Sequence, residues 1–151
     1  MEFDNKIENK RLVEKYPFLL PRNRFSGEVV KGYEYEFTEL DSMPDGWRTA
    51  FGLQMVEEIS QILKKVGYDK KYRIAQIKEK FGMLRWYDNG YPTSISKELN
   101  ECIRKYENLS YETCIICGSK ADGYTKGWIM PVCKLCHPVE NIYSEDEVWG
   151  D

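Results

Sequence analysis

The segment Cys114-Ile-Ile-Cys117-Gly118, together with Cys133-Lys-Leu-Cys136-His137, decides how the C-terminal part of this chain folds. Fifteen residues separate the two inner cysteines. Each C-x2-C pair turns two thiolates toward one point, and four thiolates complete a tetrahedral shell around one zinc ion. The spacing therefore predicts a zinc ribbon that holds one structural Zn2+ per chain, with these ligands: Cys114, Cys117, Cys133 and Cys136.

This ligand set favours a structural metal over a catalytic one, because four protein ligands leave no position for a water molecule to be activated. His137 is the only histidine of the chain. We expect it to lie beside the metal or to be exposed to solvent, since two adjacent side chains such as Cys136 and His137 seldom reach one ion together. A redox dithiol would instead place a single C-x-x-C pair between a strand and a helix. The sequence therefore predicts no catalytic residue at this site.

Composition indicates a folded protein. The 151 residues are 31% charged and 14% aromatic, with a formal net charge of −3, which argues for a globular chain and does not favour nucleic acid as a partner. No apolar run approaches the roughly 18 residues needed to span a membrane, and the N-terminus is polar and acidic rather than basic and then apolar. We expect a cytoplasmic protein without a membrane association.

Hydrophobic periodicity predicts an α+β fold with a small, mostly antiparallel sheet, about three helices and a C-terminal zinc ribbon with four cysteine ligands. Apolar residues at three- and four-residue steps indicate helices, and alternating aromatic residues in 31–40 indicate a half-buried strand. Glu79-Lys-Phe-Gly82 joins two β-prone runs into a hairpin. The predicted ranges are helices at 6–16, 47–66 and 95–109, and strands at 31–40, 72–78 and 83–87.

Three regions follow from this order of elements. Residues 1–110 form the predicted α+β domain, and residues 111–137 form the ribbon. Residues 138–151 form an acidic tail that also carries apolar side chains, among them Trp149. Its composition is too apolar for a purely solubilising tail, so we expect it to fold back on the ribbon or to bind a basic partner.

Two stretches are dense in tryptophan, arginine and tyrosine, the residue types favoured at binding hot spots. They are residues 43–48 and 78–90. The alternative is that their tryptophans lie in the core and their arginines are solvated; adjacent residues of one strand point to opposite faces, so one of Arg85 and Trp86 should be exposed. The interface candidates are Trp47, Arg48, Arg85, Trp86, Tyr87, Trp128 and Trp149.

Four groups of residues resemble a family of small proteins of bacteria, phages and prophages. The resemblance covers most of the chain, implies a zinc ribbon at the C-terminal end, and brings no established activity with it. The residues that carry it are Tyr16-Pro-Phe-Leu-Leu-Pro-Arg22, Leu40-Asp-Ser-Met-Pro-Asp-Gly-Trp47, Gln76-Ile-Lys-Glu-Lys-Phe-Gly82 with Leu84-Arg-Trp86, and the two cysteine pairs with Gly127-Trp128 between them.

Three functional hypotheses are compatible with these features. The first is a non-enzymatic, zinc-stabilised binding protein that acts through protein–protein contacts; with the phage-like resemblance and the acidic tail, it extends to an inhibitor of a host nuclease or CRISPR-type defence complex. The second is a nucleic-acid-binding regulator that uses the ribbon and the lysines and arginines of residues 10–24 and 64–80. The third is an enzyme with a carboxylate site of no recognised pattern.

Overall fold

The computed structural model describes the backbone of residues 2–150 and the side chains of residues 5–150. The fold is α+β, as predicted, and its sheets are two separate antiparallel pairs. The helices are α1 (Glu2–Lys15), α2 (Asp45–Trp47), α3 (Leu53–Lys64), α4 (Ser96–Ser110) and α5 (Glu145–Trp149). The strands are β1 (Ile74–Lys80), β2 (Met83–Asp88), β3 (Gly123–Tyr124) and β4 (Pro131–Val132).

The helix predicted at residues 47–66 forms, but its first half contains a π-helical turn. A π-helical turn over Arg48–Gly52 joins α2 to α3. From Met55 onward the apolar residues of α3 recur at helical spacing and form a buried face, whereas Leu53 at the start of the helix is exposed. A Cβ at Gly52 would lie 3.2 Å from the Arg48 Cγ atom and 3.4 Å from Leu40, so the absence of a side chain there permits close packing in the π turn.

The predicted strand at residues 31–40 is wrong. This segment forms turns and then a 3₁₀ turn at Glu39–Ser42. Gly32 and Tyr35 have positive φ angles of 72° and 65°, which a strand does not contain. The alternating aromatic residues pack on one another instead, with the Tyr33 and Phe37 rings 5.6 Å apart in an edge-to-face arrangement. The period-two spacing of these aromatic residues therefore belongs to a local aromatic cluster, because no strand within residues 2–150 pairs with the segment.

The predicted hairpin forms through a turn of unusual composition. Strands β1 and β2 pair from Lys80–Met83 outward, which leaves Phe81 and Gly82 as the two turn residues. Both have positive φ, 53° and 82°, the signature of a type I′ turn. Such turns favour Asn-Gly, because a bulky side chain is disfavoured in the left-handed region. Phenylalanine therefore occupies this position at an energetic cost.

One core lies between α3, α4 and the β1–β2 hairpin, and it contains most of the large apolar side chains of the first 110 residues. Trp86 and Tyr72 are both buried in it, and the Trp86 indole N–H donates to the Tyr72 hydroxyl at 2.9 Å. Leu84 donates its backbone N–H to the Ser110 hydroxyl at 2.8 Å. The hairpin is thereby fixed to the C-terminal end of α4, from which the cysteine-containing segment departs.

The tail is helical and contacts both preceding regions. Ser144 caps α5 through a capping box with Glu147. Tyr143 exchanges backbone hydrogen bonds with Tyr124 of β3, and the Trp149 ring packs edge to face on Phe81 at 6.3 Å. Among the described residues, no helix is both long and apolar enough to cross a membrane.

Candidate metal centre

Four thiols converge at the C-terminal end of the molecule. The Sγ atoms of Cys114, Cys117, Cys133 and Cys136 all lie within 4.8 Å of one another, and those of Cys117 and Cys133 are 3.6 Å apart. A tetrahedron of sulfurs with zinc–sulfur bonds of about 2.3 Å has edges of roughly 3.8 Å. The two C-x2-C pairs can therefore hold one metal ion between them.

The first cysteine pair sits in a tight turn. The Gly118 N–H donates to the Cys114 carbonyl at 3.0 Å, and the Cys114 N–H donates to the Ser119 carbonyl at 2.7 Å. Gly118 takes a φ angle of 88°, the conformation expected of a glycine directly after the pair. This turn directs both thiols of the pair to the same side.

The turn also packs on the α+β domain. A Cβ at Gly118 would lie 2.7 Å from the Gly46 carbonyl oxygen, and one at Gly46 would lie 2.1 Å from the Cys114 carbonyl oxygen. Gly46 further donates its N–H to the Ile115 carbonyl at 2.9 Å. Two glycines that face each other thus let α2 and the first cysteine pair approach at backbone distance.

The second pair has the same design. Cys136 and His137 both donate their backbone N–H groups to the Cys133 carbonyl, each at 3.1 Å. Cys133 is buried and Cys136 is half-buried. His137 is half-buried beside the cluster and is not among the side chains that converge on it. Its place agrees with the expectation that it is no ligand.

Hydrogen bonding separates the acidities of two of the thiols. The side-chain and backbone donors of Ser119 lower the pKa of Cys117 to about 6. Hydrogen bonds to Cys117 and Cys133 raise the pKa of Cys136 to about 12. Without a cation, a thiolate at one position is therefore stabilised by a neighbouring thiol that keeps its proton. A divalent cation removes this competition, because it favours the thiolate at every ligand.

Two of the predicted interface residues are part of the interior. Trp47 is completely buried, and its indole N–H donates to the Thr113 carbonyl at 2.9 Å. Trp86 is buried in the core beside Tyr72. Neither side chain can touch a partner, because the α+β domain needs large apolar groups at both positions. The interpretation of Trp47 and Trp86 as surface residues is therefore wrong.

Arg48, Arg85 and Tyr87 lie at or near the surface. Arg48 is half-buried and its guanidinium is already paired with Asp41 at 3.1 Å and Asp45 at 2.8 Å. Arg85 is half-buried on β2 opposite Lys78, and Tyr87 is exposed on the same strand. Arg48 is thus engaged in stabilising the start of α2, whereas Arg85 and Tyr87 remain accessible.

The two remaining candidates lie on either side of the hairpin turn. Trp128 is 72% exposed, and its indole N–H donates to the Glu79 carboxylate at 3.0 Å. Trp149 is 51% exposed and donates its indole N–H to the Tyr111 hydroxyl. Both rings are therefore held in place by hydrogen bonds although much of their surface faces solvent.

The structure adds Phe81 to this group, a residue that was not a sequence-based candidate. Phe81 is 59% exposed, packs against Trp149, and lies with Trp128 along a groove of about 240 Å³. We call this the aromatic groove; it is lined by Lys78, Glu79, Lys80, Phe81, Gly127, Trp128 and Ile129. The sequence signal was the Phe-Gly pair at a position where a two-residue hairpin turn favours Asn-Gly.

Comparisons of the chain with protein-family models, with curated proteins and with solved structures gave no match.

Proposed function

We propose that this protein is a non-enzymatic, zinc-stabilised binding protein that acts through protein–protein contacts at the aromatic groove. The observation that carries the proposal is Phe81. A large apolar side chain is exposed there on a backbone conformation that disfavours it. Backbone strain of this kind clusters at functional sites, which supports a binding role for Phe81.

Zinc is the metal that suits the centre best. Four thiolates form a soft, tetrahedral donor set with no open position, which is typical of structural zinc. Elemental analysis of the purified protein should give about one zinc per chain. Another metal in stoichiometric amount, or none in protein purified without chelators, would contradict this assignment.

The shape and chemistry of the groove suit a protein partner. Trp128 and Phe81 are rigid aromatic side chains that present apolar area at low cost in conformational entropy. Glu79 fixes both walls, since its carboxylate accepts from the Trp128 indole at 3.0 Å and from the Gly82 N–H at 2.9 Å. The surface is therefore ordered before a partner arrives, which reduces the entropic cost of binding.

The acidic tail beside the groove supports a partner with basic residues. Glu140, Glu145 and Asp146 are exposed in and before α5, whose Trp149 contacts Phe81. We infer that the partner inserts an apolar side chain between Phe81 and Trp128 and places basic residues against the tail. Complementary charge of this kind chiefly accelerates association and selects among partners.

Affinity capture from a host lysate, followed by reconstitution with the purified partner, tests the proposal. The wild-type chain and Trp128→Ala are compared with Phe25→Ala as the matched control, since Phe25 is 95% exposed and lies outside the groove. We expect direct binding that Trp128→Ala weakens at least tenfold and Phe25→Ala leaves unchanged. An affinity that Trp128→Ala does not change, or the capture of no protein at all, would refute the groove as the partner-binding surface.

The identity of the partner forms a narrower part of the proposal. The phage-like resemblance and the acidic tail support a host nuclease or CRISPR-type defence complex, which the chain would inhibit as a phage-encoded protein. The purified chain should then reduce cleavage by the captured nuclease in proportion to its occupancy, and Trp128→Ala should relieve that inhibition. A captured partner without nuclease or defence activity would rule out this narrower proposal alone.

A second candidate is single-stranded nucleic acid, because exposed aromatic rings next to lysines form stacking platforms for bases. Lys78 and Lys80 line the same groove as Trp128. Phosphate contacts make such binding strongly dependent on salt, by roughly one logarithmic unit per neutralised phosphate per decade of salt. Retention of DNA or RNA at low salt that decreases in this way would favour the regulator over the protein-binding function.

A further inference from the structure

A second recess lies at the opposite end of β1 from the aromatic groove. It is narrow, with a volume of about 40 Å³, and lies between the loop that follows Pro21 and the first residues of β1. Three arginines and one glutamate provide its charged lining: Arg22, Arg24, Arg73 and Glu39. We call it the arginine cleft. Like charges that converge repel one another, and an anion bound between them would relieve that repulsion.

Arg22, which lines the cleft, has one donor without a partner among the described residues. One terminal nitrogen of its guanidinium donates to the Gly27 carbonyl at 2.8 Å, which fixes the direction of the group. Its Nε atom is buried and has no hydrogen-bond partner among the described residues. Buried donors are almost always satisfied, so an unpaired N–H of a charged group marks a position where an acceptor is missing.

Arg73 faces the same space from the strand side. Its guanidinium donates to the Lys70 carbonyl at 2.9 Å and to the Tyr72 carbonyl at 3.0 Å. Burial and then repulsion by Arg22 lower the pKa of Arg73. Two guanidinium groups that come from distant parts of the chain are therefore held close enough to repel each other.

Glu39 does not neutralise this charge. Burial raises the pKa of its carboxyl group, while the Arg22 backbone N–H and the Arg24 guanidinium act in the opposite direction. One carboxylate against three guanidinium groups leaves an excess of two positive charges in the cleft. This excess matches a dianion, and the fork of donors on an arginine matches phosphate oxygens in geometry.

We propose that the arginine cleft is a phosphate-binding site in which Arg22 and Arg73 hold a phosphoryl group. The volume exceeds the 10–15 Å³ that a single water requires and suits a group of a few non-hydrogen atoms. A phosphoryl group enters the cleft while any larger remainder of its ligand stays outside. The site does not depend on the aromatic groove, so either proposal can fail alone.

Titration of the full-length, metal-loaded protein with inorganic phosphate at constant ionic strength tests this site. Two-dimensional NMR of the arginine Nε–H groups reports it directly. We expect a saturable shift of the Arg22 signal with a dissociation constant in the millimolar range or below. Acetate, at the same concentrations, should cause a shift at least tenfold weaker.

Four variants test which residues of the cleft bind the phosphate. Arg22→Gln and Arg73→Gln should each weaken phosphate binding at least tenfold, and Arg24→Gln, at an exposed position that should not disturb folding, should weaken it several-fold. Glu39→Gln should strengthen binding several-fold, because it removes the competing carboxylate. Arg85→Gln is the matched control, because Arg85 lies on β2 and outside the cleft, and this variant should bind phosphate as the wild type does.

Three results would overturn the proposal. The first is the absence of a saturable shift in the wild type. The second is phosphate binding that is equally tight in Arg24→Gln, in Glu39→Gln and in the wild type. The third is acetate binding as tight as phosphate binding. The last result would identify a carboxylate site instead. Folding of each variant is verified by its amide spectrum, and the wild-type titration decides the question even if Arg22→Gln or Arg73→Gln fails to fold.

Discussion

The α+β domain and the ribbon are stable for different reasons. The domain buries a continuous set of aromatic and aliphatic side chains between α3, α4 and the hairpin. The buried residues of the ribbon are few and mostly small, namely Thr113, Cys114, Gly123, Thr125, Pro131, Val132 and Cys133, while Leu135, at 91%, and Trp128 are exposed. Apolar burial at roughly 25 cal/mol per Å² can sustain the first region and not the second. We therefore expect the ribbon to depend on a metal bound by its four cysteines and on its contacts with the domain.

Removal of one metal ligand should have the largest effect, because it should destabilise the ribbon and leave the domain folded. Cys133→Ser should abolish stoichiometric metal binding, because serine does not replace a thiolate ligand. Structural zinc contributes about 10–16 kcal/mol to zinc-finger folding near neutral pH. The ribbon should therefore unfold, while the domain retains its core. Elemental analysis, with amide exchange measured separately for residues 111–137 and for the domain, checks both expectations.

The control for this variant is Cys102→Ala. Cys102 is buried in the core face of α4 and lies outside the cluster of four thiols. Its loss should leave the metal content unchanged and reduce domain stability by about 1 kcal/mol, the effect of removing a small buried group. Full metal content in Cys133→Ser, or metal loss in Cys102→Ala, would show that the ligands are assigned wrongly.

Substitution of Gly118 should disrupt the contact between the domain and the ribbon while all four cysteines stay in place. Gly118→Ala places a methyl group 2.7 Å from the Gly46 carbonyl and forces alanine to a φ of 88°. Conformational strain of about 1–2 kcal/mol and overpacking of about 1–3 kcal/mol should together cost about 2–5 kcal/mol. Thermal unfolding of the metal-loaded protein, and the rate of zinc transfer to a chelator, measure the loss.

Gly127→Ala separates these two contributions. Gly127 has a similar φ of 79°, but nothing lies within 4 Å of the position its Cβ would take. Only the conformational cost of about 1–2 kcal/mol should appear there. Equal destabilisation by both substitutions would mean that the Gly46–Gly118 contact contributes nothing to the docking of the ribbon.

A smaller loss of stability is expected when the hydrogen bond between Trp47 of the domain and Thr113 of the ribbon is removed. Trp47→Phe keeps an aromatic ring in the core but leaves the buried Thr113 carbonyl without its indole donor. An unsatisfied buried acceptor costs about 1–3 kcal/mol. Trp128→Phe removes an indole hydrogen bond at an exposed site and should cost less than about 1 kcal/mol. Denaturant unfolding should rank the two variants in this order, and the reverse order would contradict the assignment.

The parts of the fold that the sequence predicts are those with local signals. The spacing of Cys114, Cys117, Cys133 and Cys136 indicates a cluster whatever the rest of the chain does, because two C-x2-C pairs can supply four thiolates to one cation. The apolar face of α3 and the turn glycine at position 82 are also properties of short segments. These predictions hold because each depends on the chemistry of a few neighbouring residues.

The features that the sequence does not predict depend on distant partners. Residues 31–40 alternate like a strand, yet no second strand is available, and Asn9 of α1 donates to the Tyr35 carbonyl at 2.8 Å instead. Trp47 lies in the core, where its indole N–H meets the Thr113 carbonyl 66 positions further along the chain. The arginine cleft joins Arg22 and Arg73, which are 51 positions apart in the sequence. Pairings of this kind are set by the fold as a whole.

The smallest predicted effect on stability is also the one that best separates folding from function. Phe81→Asn produces the Asn-Gly pair that a type I′ turn favours, since asparagine tolerates positive φ better than phenylalanine. The lost contact with Trp149 involves a ring that is largely exposed, so we expect stability to stay constant or rise by about 0.5–1 kcal/mol. Partner binding at the aromatic groove should nevertheless weaken at least tenfold. Clear destabilisation by Phe81→Asn would mean that Phe81 serves the fold rather than the surface, and the argument from strain would fail.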